Sequence, residues 1–232
     1  MASLVVAHGA GAGMEHPFLA GFCRAIAEEA VATMRFNFPY VERGRRSPDT
    51  ERVLRETWLA AFEAARAAGE RPVLAGGKSL GGRIASMCVA EGMPAAGLVF
   101  LGYPLHPPGR PERIRDEHLY RVEVPMLFLQ GTSDPFARLE LVAKVIDRLG
   151  ERATLEKIEG GDHSFKVRGT RADPGEVGAG LPASPRPSSA ELPGCRDVHA
   201  ELQGDPPVAT PTPSEFRHSL LHREQGRGSQ GA

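Results

Sequence analysis

The stretch from Pro72 to Ala90 constrains this chain more than any other. A short apolar run, Val73 to Ala75, passes within a few residues into a helical pattern with Ile84, Met87 and Cys88 on one side. A strand therefore meets a helix at Ser79. Around that serine stands Gly77-Lys78-Ser79-Leu80-Gly81, a Gly-x-Ser-x-Gly nucleophile-elbow pattern in the strand-turn-helix setting it requires. In so sharp a turn, glycines two residues either side let strand and helix approach without a Cβ clash, and the serine Oγ stands clear of the sheet edge. Taken alone, the pattern also fits an ordinary tight strand-to-helix turn. Gly77-Lys78-Ser79 further matches the end of a phosphate-binding loop, but that motif needs a glycine five residues before Gly77, where Pro72 stands.

The flanking chain repeats the same alternation. Leu4 to Ala7 is a short strand that runs into His8-Gly9-Ala10-Gly11-Ala12-Gly13, a loop nearly without side chains whose bare amides suit an oxyanion hole. Phe18, Phe22 and Ile26 recur at helical spacing after Pro17, with His16 at the helix start. Ala32 to Phe38 alternates as a strand and ends at Pro39. The basic turn Arg43 to Arg46 reads as a solvated loop. Leu54, Trp58, Ala61, Phe62 and Ala65 trace a helix closed at Gly69, with Trp58 facing the core. Leu98 to Leu101 and Met126 to Leu129 are unbroken apolar runs, as in strands covered on both faces, the second running on to Gln130 and Gly131. Leu139 to Leu149 is a further amphipathic helix ending at Gly150, and Thr154 to Ile158 is the last strand. Alternating strands and helices predict a mainly parallel sheet of about six strands with helices on both faces, and such sheets carry their sites just beyond the strand ends.

Asp134 follows one strand and His163 the next, so both fall at the edge that holds Ser79. The order Ser79, Asp134, His163 supplies a nucleophile, an acid that orients the imidazole, and a base with an ordinary pKa near ~6.5. Asp162 is adjacent to His163, so its side chain tends to point away from the ring, and Asp147 lies in mid-helix. Asp134 is therefore the expected acid.

These residues give the chain a family resemblance. His8-Gly-Ala-Gly11, Arg35-Phe-Asn-Phe-Pro-Tyr40, Gly76 to Gly82, Gly102 to Pro108, Gln130-Gly131 with Asp134-Pro-Phe136, and Gly161 to Phe165 resemble the α/β-hydrolase superfamily. More narrowly, they resemble its small dienelactone-hydrolase-like branch, and within it the bacterial relatives of testis-expressed protein 30 and of the third subunit of the NSL complex. The resemblance spans roughly Leu4 to Val167. It implies Ser79 as nucleophile, His163 as base and Asp134 as orienting acid, with the backbone amides of Ala10 and Leu80 as oxyanion donors. His8, Gly9, Gly11, Tyr40, Lys78 and Tyr103 become candidate pocket residues. It further implies a hydrolase of small carboxylic esters or thioesters with no cofactor and no metal. Dienelactone hydrolases proper use a cysteine, so a serine here leans towards ordinary ester chemistry. The rival reading is a non-catalytic scaffold or interaction protein on the same fold.

The chain thus divides into a hydrolase domain, residues 1–168, with a minimal lid over 104–122, and a tail, residues 169–232. The tail loses hydrophobic period and gains proline clusters, as in disordered sequence or in out-of-frame reading near codon 168. His218 and His222 have metal-ligand spacing only if that tail is helical. The near-zero formal charge of -1 gives no basic footprint for nucleic acid, and no apolar run approaches the ~20 residues of a membrane span. The N-terminus lacks a basic secretory start, so the cytoplasm is expected. Cys23, Cys88 and Cys195 lack the pairing of a disulfide framework, and the first two fit core positions.

Overall fold

The computed structural model describes residues 2–29, 31–69 and 71–181. Six strands, β1 (Ser3–Ala7), β2 (Ala32–Phe36), β3 (Val73–Lys78), β4 (Leu98–Leu101), β5 (Met126–Gly131) and β6 (Ala153–Ile158), form one sheet in the order β2-β1-β3-β4-β5-β6. All five pairings are parallel. The first strand lies inside the sheet, where Leu4 to Ala7 are all buried, and β2 and β6 form the edges.

Successive side chains of a strand point to opposite faces, so each central strand feeds two cores. Val5, Ala7, Ala75, Phe100 and Phe128 join one core, and Leu4, Val6, Leu74, Val99 and Leu129 join the other. Helix α3 (Glu51–Ala67) covers the first through Leu54, Trp58 and Phe62, one face at four-residue spacing. Trp58 is also tied to the elbow, its Nε1 donating to the Gly81 carbonyl at 3.0 Å. A one-turn helix α2 (Pro39–Glu42) places Tyr40 in the same core, as do α4 (Leu80–Ala90) with Ile84 and Cys88, and α5 (Leu139–Leu149) with Val142, Val145 and Leu149. Helix α1 (Pro17–Glu28) covers the second core with Phe18, Leu19, Phe22, Cys23 and Ile26, and the side chain of His16 caps its start. Cys23 and Cys88 are buried and unpaired. Gly69 lacks the positive φ of a helix C′ glycine, whereas Gly150 caps α5 at φ 63° and ψ -143°. The basic turn is partly neutralised, since Arg43 and Arg45 both pair with Asp49.

The fold continues past residue 168, where the sequence suggested that it stops. Helix α6 (Pro174–Gly180) packs on α1, and Leu181 is buried beside it. The two helices touch through glycine: a Cβ added at Gly178 would lie 1.9 Å from the Phe18 carbonyl oxygen. Asp173 and Glu176 form a capping box that starts the helix, a signal present in the sequence as Asp-Pro-Gly-Glu. The remainder of the expected tail, with Cys195, His218 and His222, lies outside the described residues.

The segment expected to be a lid, 104–122, contains a 3-10 turn (Glu117–Arg121) and no α-helix. It is strapped down rather than hinged. His106 accepts from the Arg138 amide at 2.9 Å, Arg115 donates to the Leu105 carbonyl at 2.8 Å, and His118 Nε2 meets Ser86 Oγ of α4 at 2.8 Å.

Candidate active site

Register brings the strand ends to one edge: Ala7 pairs with Gly77, Lys78 with Leu101, Leu101 with Leu129 and Gly131 with Ile158. The loops after β1, β3, β5 and β6 therefore converge. At the end of β3, Ser79 takes φ 50° and ψ -114°, a strained backbone for a residue with a Cβ. The glycines around it are required by contact. A Cβ at Gly77 would lie 2.5 Å from the Ala7 carbonyl oxygen, and one at Gly81 would meet the same atom at the same distance.

The expected trio is assembled. Ser79 Oγ lies 2.9 Å from His163 Nε2, and His163 Nδ1 lies 2.7 Å from Asp134 Oδ2. The hydrogen-bond network assigns the imidazole proton to Nδ1, which donates to the carboxylate and leaves Nε2 to accept from the serine. The Asp134 side chain is fully buried and His163 is 19% exposed. Two further donors hold the acid: Gln130 Nε2 to Oδ2 at 2.6 Å and the Phe136 amide to Oδ1 at 2.7 Å. Gln130 itself is fixed by accepting the Tyr103 amide at 2.9 Å. The Phe136 ring packs on the imidazole with centroids 4.3 Å apart.

Asp162, the acid adjacent to His163 in sequence, is engaged by the backbone of its own turn. Its Oδ1 accepts the amides of Ser164 and Lys166 at 2.7 and 3.0 Å, closing a turn around His163. Phe165 in that turn stands at φ 62° and stacks on Phe18 with centroids 5.5 Å apart.

On the other side of Ser79, Gly9 is close enough that a Cβ there would lie 3.5 Å from the Ser79 Cβ. Ala10 and Gly11 form an exposed turn, with Gly11 at φ 75°. His8 shapes this loop. Its Nδ1 donates to the Gly9 carbonyl at 2.8 Å and its Nε2 accepts the Phe38 amide at 3.2 Å, while burial lowers its pKa and keeps it neutral. Asn37 Oδ1 accepts the Met14 amide at 2.7 Å and ties the loop to the end of β2. Leu80 opens α4, so its N–H has no partner within the helix.

Three of the expected pocket residues are committed to packing. Tyr40 is fully buried against His8 and Phe38, and burial raises its pKa. Tyr103 is 2% exposed, wedged between Phe100 and Phe128, with its hydroxyl donating to the Arg115 carbonyl at 2.8 Å. The Lys78 ammonium is buried as well. Sequence reasoning gave no role to Gln130 or Phe136, because Tyr103 and His163, which they also meet, come from neighbouring loops. Gln130, a polar residue in an otherwise apolar strand, was the available signal.

Residues 1–174 match a family model described as an alpha/beta hydrolase domain. Among solved structures, a member of the α/β serine hydrolases without a lid, from Xanthomonas campestris, is 20% identical with a TM-score of 0.60, covering 78% of this chain and 79% of that one. A dienelactone hydrolase from Anabaena variabilis is 20% identical, with a TM-score of 0.59 and coverage of 72% and 79%. An α/β serine hydrolase homologue from Coxiella burnetii is 19% identical, with a TM-score of 0.59 and coverage of 70% and 76%. At these identities the likeness is one of fold. No described helix is long and apolar enough to cross a membrane.

Proposed function

Because this chain belongs to the alpha/beta hydrolase domain family, we propose that it is a serine hydrolase cleaving small carboxylic esters or thioesters through an acyl-enzyme on Ser79. The observation that carries the reading is the unbroken hydrogen-bond series from Ser79 Oγ through His163 to Asp134. In this reading His163 Nε2 takes the serine proton as Oγ attacks the acyl carbonyl. Asp134 keeps the other ring nitrogen protonated and stabilises the imidazolium that forms. The amides of Leu80 and Ala10 receive the developing oxyanion. His163 then gives its proton to the leaving alcohol or thiol, and a water activated by the same base hydrolyses the acyl-enzyme.

Small substrates follow from the strapped 104–122 segment, which contains no α-helix to swing over the site and enclose a long chain. Short p-nitrophenyl esters are therefore expected to outrun long ones. The unpaired Cys23 and Cys88 accord with the reducing cytoplasm in which this reading sets the enzyme.

The test is covalent labelling with a fluorophosphonate followed by an ester panel on the parent and on Ser79→Ala. The variant is expected to lose labelling and several powers of ten in kcat while keeping its fold. A Ser79→Ala chain that still turns over ester would sink the reading. A parent that neither labels nor hydrolyses any ester would favour a non-catalytic scaffold.

A further inference from the structure

Lys78 precedes Ser79 and differs from the chain's other three lysines, Lys144, Lys157 and Lys166, which are exposed. Its Nζ is buried and has no hydrogen-bond partner among the described residues. The stem lies under the loop after β1, where a Cβ at Gly9 would stand 3.4 Å from Lys78 Cγ. The tip lies over the Phe165 ring, 5.4 Å from its centroid. A Cβ at Gly102 would stand 3.1 Å from Nζ and 3.4 Å from the His163 carbonyl oxygen. One side chain thus runs from the Gly9 loop to the loop that carries His163.

The charged groups that face the amine are Asp134, from the loop after β5, and Asp162, from the loop after β6. The end of β4 offers only the backbone at Gly102, and α1 reaches the cluster through Phe18, which stacks on Phe165. A buried ammonium without acceptors weakens a fold, so its place beside the nucleophile asks for a functional reason.

We propose that Lys78 is a positioning residue: its cation, attracted by Asp134 and Asp162 and seated on Phe165, holds the His163 loop in register with Ser79 and makes the fold less stable in doing so. The loop hangs from an edge strand and contains a strained Phe165, so a central cation is well placed to fix it. Burial outweighs the two acids and lowers the amine from 10.5 to about 8. Above that pH the cation is lost, the loop loosens and activity falls.

Stability runs the other way. Between about 8 and 10.5 the unfolded chain keeps a proton that the folded chain has released, so stability rises with pH across that window. Opposed trends in activity and stability are a signature that a merely structural lysine would not give.

The activity arm rests on the serine-hydrolase reading. The experiment follows the full-length chain with 13Cε-labelled lysine by NMR across the alkaline range. It adds thermal melts and p-nitrophenyl acetate kinetics of the parent and of Lys78→Met. One of the four lysine signals is expected to titrate near pH 8. Lys78→Met is expected to melt several degrees higher at neutral pH, to lose about tenfold or more in kcat with little change in KM, and to lack the alkaline fall. The proposal is overturned if every lysine titrates in the ordinary range, if the variant melts lower than the parent, or if its kcat and pH profile match the parent's. An inactive parent would remove the hydrolase reading and this role together, whereas an active parent with an unchanged variant would remove this role alone.

Discussion

Strand β3 lies between β1 and β4, and each residue from Val73 to Gly77 is buried; β6 pairs on one side only, with β5, and none of its six residues is buried. Each leads into a loop that brings one of the bonded pair Ser79 and His163 to the same edge. Ser79 is held by the sheet itself: backbone contacts around Gly77 and Gly81 leave the elbow a single shape, and Trp58 bonds the turn from α3. His163 is held by local devices instead. These are the Asp162 turn, an isolated bridge between Gly161 and Val167, the stacked Phe165 and the Lys78 cation. A site of this kind holds Ser79 rigidly, while the position of His163 depends on a few side chains. Damage on the two sides should therefore read out differently, as lost folding on one and lost turnover on the other.

The comparison is broken most severely at the elbow. Gly77→Ala places a methyl group 2.5 Å from the Ala7 carbonyl oxygen and 2.8 Å from the Gly82 nitrogen, neither of which is a flexible side-chain end. We expect a loss of about 3 kcal/mol or more, seen as a lowered denaturation midpoint or an insoluble chain. A normal melt would show that the elbow is less rigid than its contacts indicate.

Asp134→Asn tests the other side. It keeps the shape and removes the charge that holds the His163 tautomer, so kcat should fall by about two to four powers of ten with the melting temperature little changed. A drop in stability as large as that of Gly77→Ala would erase the distinction between the two sides.

Asp162→Ala sharpens it further, because Asp162 closes the turn that carries His163 and faces Lys78 rather than bonding the imidazole. Loss of the one carboxylate oxygen that accepts both amides should cost about 1–2 kcal/mol of local order. It should lower kcat about tenfold without abolishing fluorophosphonate labelling. Amide exchange should quicken at Ser164 and Lys166 and stay unchanged in β3.

A further test lies in acid. Burial, then Arg83 and Arg121, lower the His118 pKa to about 4, so the folded chain holds it neutral on Ser86 while the unfolded chain protonates it near 6.5. Stability should fall as pH drops from about 6.5 towards 4, since the unfolded state then binds the extra proton. His118→Gln should flatten that slope in thermal melts. An unchanged slope would place the acid sensitivity elsewhere than in the strap on α4.

By itself, the sequence determined the α/β layering, the elbow at Ser79 and the order of the trio. These depend on local matters: apolar runs of strand length, period-four faces such as Phe18, Phe22 and Ile26, and glycines where a turn is too tight for a Cβ. It also pointed to Asp134 rather than Asp162 as the partner of His163, because a neighbour in sequence cannot easily reach round to the imidazole. What a side chain meets across the sheet was decided only by register and packing. Tyr103 and Tyr40 looked like pocket residues because they follow strands at the right edge, but the layers closed over both. Gln130 became a support for Asp134 because β4 and β5 align so that Tyr103 fixes its amide. Helix α6 was missed because seven residues with three glycines show no apolar stripe, and its stability comes from fitting against α1. Lys78 shows the same limit most plainly. Its place beside the serine was legible, whereas its burial under the His163 loop arises from three separate chain segments meeting in space, which no local pattern encodes.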